Sequence, residues 1–100
     1  MKYHKLVRDK IPEYIKKRGG TPLTHIAGQR EYWQKLKEKL SEEVVEFLAS
    51  ETMEELADIQ EVLEAIRVHQ KFSAAKLAAV RTKKARERGR FKKKIILEQA

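Results

Sequence analysis

Residues 41–58 read SEEVVEFLASETMEELAD, and this stretch decides the fold. Glu42-Glu43-x-x-Glu46 is followed, after eight residues, by Glu55-x-x-Asp58. Carboxylates three apart on an α-helix point the same way. Ser50-Glu51-Thr52 between the two groups reads as a brief turn, so the stretch predicts a helix hairpin carrying an acidic pair on each arm. Four carboxylates brought together across a tight hairpin repel one another. A hard divalent cation is the simplest remedy, and Mg²⁺ held by carboxylates commonly serves phosphate chemistry.

Working outward, the apolar pattern supports the two arms. Trp33, Leu36, Leu40, Val44 and Phe47 follow spacings of 3, 4, 4 and 3, one stripe at helical period, and predict a helix from about Glu31 to Ala49. Leu56, Ile59, Leu63 and Ile66 do the same for a helix from about Met53 to His69. Upstream, KLVRDKIPEYI (residues 5–15) places Pro12 in the first turn of a short helix, with Asp9 or Lys10 near its cap, that stops at Gly19-Gly20. Residues 21–27 read as extended. Downstream, Ser73 caps an alanine-rich helix that ends before Gly89, and FKKKIIL (residues 91–97) reads as a short strand able to pair with an extended N-terminal segment. The expected fold is mainly α: a helix hairpin forming part of an oligomeric helical bundle, with short extended N- and C-terminal segments, in one domain over residues 1–100.

Composition sets limits. One hundred residues make one domain, and a chain of that size buries about two-thirds of its unfolded surface, which leaves room for a partner subunit in completing the core. There is no cysteine, which excludes disulfide and thiolate chemistry. No run is apolar enough for a signal peptide or a membrane span, so the expected setting is cytoplasmic and free of membrane. The net charge of +8 is unevenly placed: residues 81–94 carry nine Lys or Arg and one acid, whereas residues 37–64 carry ten acids and two lysines. An acidic middle and a basic tail can meet at one anionic ligand, the acids on a metal and the bases on phosphate oxygens. The rival is a basic tail lying on nucleic acid.

Charges on a helix normally avoid the buried stripe. At 100° per residue, Glu43 projects about 20° from Leu36 and about 40° from Phe47, inside or at the edge of the apolar stripe. Glu55 falls between Ile59 and Val62, and Asp58 about 40° outside Val62. An unpaired carboxylate in such a place costs several kcal/mol, roughly, or takes up a proton. Glu42 projects further outward than Glu43 and ranks behind it, supporting the ligands or binding a second ion. Two plainer explanations compete. Thr52-x-x-Glu55 matches a capping box, and Asp58 complements the positive end of its helix. Spacing alone leaves both open. His4, His25 and His69 lack ligand-like spacing, and Trp33 belongs to the apolar stripe more readily than to a stacking site.

The paired motifs, Glu42-Glu43-x-x-Glu46 and Glu55-x-x-Asp58, resemble the signature of the all-α nucleoside triphosphate pyrophosphohydrolases. KLVRDKIPEYI and ERGRFKKKIILE (residues 87–98) resemble a MazG-like, phosphoribosyl-ATP-pyrophosphohydrolase-like subgroup, so that the likeness spans essentially the whole chain. The resemblance implies that Glu43, Glu46, Glu55 and Asp58 bind Mg²⁺. It also implies cleavage of a nucleoside triphosphate between the α- and β-phosphates, giving a nucleoside monophosphate and pyrophosphate, by a dimer or tetramer. Glu42 or Glu46 would activate the attacking water. Arg8 and Lys10 from the N-terminal motif, and Lys84, Arg88 and Lys92 from the basic segment, are candidates for the phosphates. The eight-residue gap between Glu46 and Glu55 is shorter than in many relatives and leaves little chain to shape a base pocket. A phosphoribosyl-ATP pyrophosphohydrolase differs only in substrate. Two non-enzymatic rivals are a nucleic-acid binder using residues 81–94, which has just Phe91 for stacking, and a helical oligomerisation module.

Overall fold

The helices of the computed structural model, which describes residues 4–100, begin and end where local chemistry limits them; residues 1–3 of the expected domain lie outside that range. In chain order they are α1 (Ile11–Lys17), α2 (Gln29–Ser50), α3 (Met53–His69) and α4 (Ala74–Arg88). Pro12 sits in the first turn of α1, where its missing N–H costs nothing. Past the end of α1, Gly19 takes φ +87°, and Gly20 passes so close to Ile15 that a Cβ there would lie 2.7 Å from the Ile15 methyl carbon. Both positions therefore need glycine, for different reasons.

The turn between α2 and α3 is only two residues long. Glu51 adopts the left-handed conformation (φ 55°, ψ 37°) and its N–H closes α2 on the Phe47 carbonyl. Thr52 then caps α3, its Oγ1 accepting from the Glu55 N–H at 3.3 Å. At the open end of the hairpin, His69 stacks on Trp33 with ring centroids 5.4 Å apart and meets the edge of Tyr32 at 5.3 Å. The hairpin is thus closed at both ends, by backbone at one and by rings at the other. Trp33 belongs to this contact as a half-buried packing residue, in keeping with its place on the stripe.

The α2–α3 contact is the one extensive helix–helix contact among the described residues. Its interior holds Leu36, fully buried, together with Val62 on α3 and with Glu43 about two turns further along α2. Beyond it, Arg67 organises the exit from α3 by binding Glu64 and donating to the Phe72 carbonyl at 2.8 Å. Ser73 caps α4, and Gly89 (φ +81°) ends it. Leu77 and Val80 on α4 remain about half exposed.

The strand expected at residues 91–97 does not form: among the described residues there is no strand. Residues 91–93 bend and turn, and Lys94 takes φ +58°, outside the extended region. A lone β-rich segment without a neighbouring edge has nowhere to place its backbone hydrogen bonds. No described helix is long and apolar enough to cross a membrane.

Candidate metal centre

The short turn sets the end of α2 beside the start of α3, and the acids meet there. Glu42, Glu43 and Glu46 form one group, and Glu43, Glu55 and Asp58 a second; in each, one carboxylate oxygen per residue lies within 4.8 Å of the others. Glu43 belongs to both. It is 6% exposed, whereas Glu42, Glu55 and Asp58 are half-buried and Glu46 is exposed. The helix projection therefore placed Glu43 correctly, and Glu42, which projects further outward, is less covered than Glu43. Part of the N-terminal segment lies against Glu42. Lys5 Nζ stands 3.4 Å from Glu42 Oε1.

Three cations touch the cluster. Arg8 Nη2 donates to Asp58 Oδ1 at 2.7 Å. Lys39, one turn before the acids on α2, lies 3.6 Å from Glu42 and 3.4 Å from Glu43. Lys5 completes the set. Of these, Arg8 was visible in the sequence as a candidate. Lys39 carried a signal in its spacing of three and four from the acids; the pairing of Lys5 with Glu42, thirty-seven positions away, carried none. Five carboxylates against three cations leave two negative charges when all are ionised, the charge one divalent ion neutralises.

Two oxygens are not accounted for by these pairs. Glu43 Oε2 and Glu55 Oε2 are buried and accept no hydrogen bond. For Glu55 this separates the rival explanations. Thr52 makes its half of a capping box, accepting from the Glu55 N–H, but the Glu55 carboxylate returns no hydrogen bond. Capping explains the threonine and leaves the glutamate's buried oxygen unexplained. For Glu43 the cost appears in its proton affinity: burial first, then the neighbouring Glu46 charge, push its carboxyl above the ordinary value, while Lys39 opposes them and Asp58 adds a smaller push upward.

The donor set fits a hard cation. All five groups offer oxygen, and Glu43 bridges the two helices' contributions. Mg²⁺ takes oxygens at about 2.0–2.1 Å in an octahedron, so adjacent ligand oxygens stand about 3 Å apart and opposed ones about 4 Å. Within each group the oxygens already lie within 4.8 Å of one another, close to that spacing.

The remaining candidates stand elsewhere. Lys10 is the N-cap residue of α1, and its side chain makes no cap bond. Lys84 and Arg88 lie on α4, and Lys92 in the turn after it; none forms an ion pair with the cluster among the described residues. The chain by itself brings Arg8, and not these cations, to the acids.

No protein-family model and no solved structure matches the chain. A similar protein is an uncharacterized protein of Mycolicibacterium smegmatis (strain ATCC 700084 / mc(2)155), 49% identical over 47 residues. The match covers 47% of this chain and 48% of that relative, so it spans about half of each.

Proposed function

We propose that the acidic cluster holds Mg²⁺ and that the chain is a nucleoside triphosphate pyrophosphohydrolase, releasing pyrophosphate and a nucleoside monophosphate. The observation that carries the metal is the pair of buried, unpartnered oxygens on facing helices, Glu43 Oε2 and Glu55 Oε2. The class of reaction comes from the motif resemblance and is consistent with a cluster of hard oxygen ligands. Glu43, Glu55 and Asp58 would hold the ion, with Glu46 at the rim. When bound, Mg²⁺ supplies charge neutralisation for the triphosphate and polarises its phosphorus.

The chain's own residues divide the other tasks. Glu42 Oε1 faces Lys5 and Oε2 faces Lys39, so both of its oxygens are engaged. Glu46 is exposed and carries no such pair among the described residues, which makes it the better placed carboxylate to take a proton from an attacking water. The two-residue turn offers no wall for a base, so contacts that select the nucleotide would come from the N-terminal segment or from a neighbouring copy. Lys84, Arg88 and Lys92, which form no ion pair with the acids among the described residues, would reach phosphate by the second route. Self-association into a helical bundle is part of this reading.

The test is a turnover panel of canonical and modified nucleoside triphosphates, with phosphoribosyl-ATP included, scored by pyrophosphate released. Glu43→Gln and Asp58→Asn should each lower turnover by about a hundredfold or more, since each removes a ligand from the charge-neutralising ion, while helical content stays unchanged. Equal turnover in both variants and the parent chain would reject the assignment, as would full activity in excess chelator.

A further inference from the structure

The N-terminal segment crosses the mouth of the acidic cluster with one cation for each helix. Lys5 reaches Glu42 on α2, and Arg8, three residues on, reaches Asp58 on α3. The segment is anchored on both sides of Arg8: Leu6, Ile11 and Pro12 are half-buried, and the Arg8 carbonyl accepts from the Ile11 N–H at 3.1 Å at the start of α1. Arg8 is thus held in place by its neighbours rather than by chance proximity.

Arg8 and a bound dication compete for the negative charge of Asp58. The guanidinium takes Oδ1 at 2.7 Å. Asp58 shares its group with Glu43 and Glu55, whose buried Oε2 atoms are the ones lacking a partner. A cation seated among those three carboxylates would lie beside a fixed positive charge, and like charges at such range repel. The Arg8–Asp58 pair is also the weaker contender. Its side chains are 56% and 37% exposed, and ion pairs of that kind contribute little and are screened by salt. Once detached, Arg8 still stands at the mouth of the site, where a planar guanidinium is suited to bind two phosphate oxygens at once.

Resting on the Mg²⁺ reading above, we infer that residues 5–8 are a built-in counter-ion strap. In the metal-free chain Arg8 stands in for the ion at Asp58. Metal entry displaces it, and the displaced Arg8 becomes a phosphate-binding residue. Binding is therefore ordered, metal before nucleotide, and Arg8 positions the triphosphate only after the acids have exchanged one cation for another.

Two measurements on the full chain test this. Calorimetric titration with Mg²⁺ alone, in the parent chain, Arg8→Gln and Glu43→Gln, reads the competition: Arg8→Gln should bind about fivefold tighter, the size of gain expected when a weak exposed pair no longer competes. A residue with a merely structural role would weaken binding when replaced. Phenylglyoxal labelling of Arg8, mapped by mass spectrometry, reads its release: the rate should rise severalfold on adding Mg²⁺ and fall again when an α,β-methylene nucleoside triphosphate is added. If the parent chain binds Mg²⁺ and Glu43→Gln does not, but Arg8→Gln binds no tighter and labelling is indifferent to Mg²⁺, the strap is wrong and the metal site stands. If Mg²⁺ binds none of the three chains, the metal reading fails and the strap with it.

Discussion

Glu43 is the residue on which the site turns, and without metal it weakens the fold that carries it. Its carboxyl is raised above the ordinary value of 4.5, by burial first and by Glu46 next. The protonated form is therefore favoured in the folded chain relative to the unfolded one. Its contribution to stability is present in full below the unfolded value and is lost as pH rises through the raised folded value. Glu64 behaves in the opposite sense, because the Arg67 hydrogen bond lowers its carboxyl, but Glu64 is common to both chains of a comparison and cancels. In chelator at neutral pH, Glu43→Gln should thus be more stable than the parent chain, and the difference should shrink as pH falls toward the ordinary carboxyl range. Mg²⁺ should reverse the order. At a hundred times its dissociation constant a ligand adds about 2.7 kcal/mol to the chain that binds it, and Glu43→Gln forgoes most of that. Urea unfolding at several pH values, with and without Mg²⁺, reads both effects. A parent chain that outlasts Glu43→Gln in chelator at neutral pH would contradict the account.

At the scale of elements, the turn between α2 and α3 decides whether the acids meet at all. Glu51 holds a left-handed backbone that a side chain tolerates poorly, and Thr52 supplies the first hydrogen bond of α3. Thr52→Ala should cost about 1 kcal/mol, as capping threonines do, whereas Glu51→Gly should gain about 0.5 kcal/mol from relief at the left-handed position. Paired urea titrations check the opposite signs; two changes of the same sign would mean that the turn is not strained as described. Elements of this kind were legible in the sequence because their causes are local. Ser73, Gly89, Thr52 and Pro12 mark helix ends by side-chain and backbone chemistry within a few residues, and the stripe through Leu36 marks the buried face of α2. The inward aim of Glu43 follows from the same periodicity. What the sequence did not disclose depends on distant partners. Arg8 and Asp58 are fifty residues apart, and no period links them. The same holds for Lys5 over Glu42, thirty-seven positions away. Residues 91–97 carry β-favouring side chains, but propensity does not create the neighbouring strand they need.

The whole molecule is open. It exposes 9694 Å², whereas a compact monomer of 11.7 kDa exposes about 5,900 Å². Its radius of gyration is 17.9 Å, against about 13 Å for a compact chain of this length. Leu23, Ile26 and Phe91 are almost wholly in water, and among the described residues only Leu36 is fully out of it. The surplus area, about 3,800 Å², exceeds the roughly 800 Å² that each partner buries in a standard interface and the roughly 1,000–2,500 Å² per chain of obligate homodimers. The proposed self-association would set the acidic hairpin of one chain against the basic α4 and tail of another, opposed by the overall repulsion of two chains that each carry +8. An assembly that folds as it associates is stabilised by concentration. For a dimer, a hundredfold increase in protein adds about 2.7 kcal/mol per dimer. Half of that falls to each chain, and a domain of this size shifts by about 4–8 °C per kcal/mol. The melting temperature should therefore rise by about 5–10 °C between low and high micromolar protein, with sedimentation showing a species of at least two chains. Raising salt should weaken association if the acidic and basic faces meet, because screening shortens their reach. A monomer at every concentration, melting at one temperature throughout, would reject self-association and with it the route by which Lys84, Arg88 and Lys92 would reach the acids of a second copy.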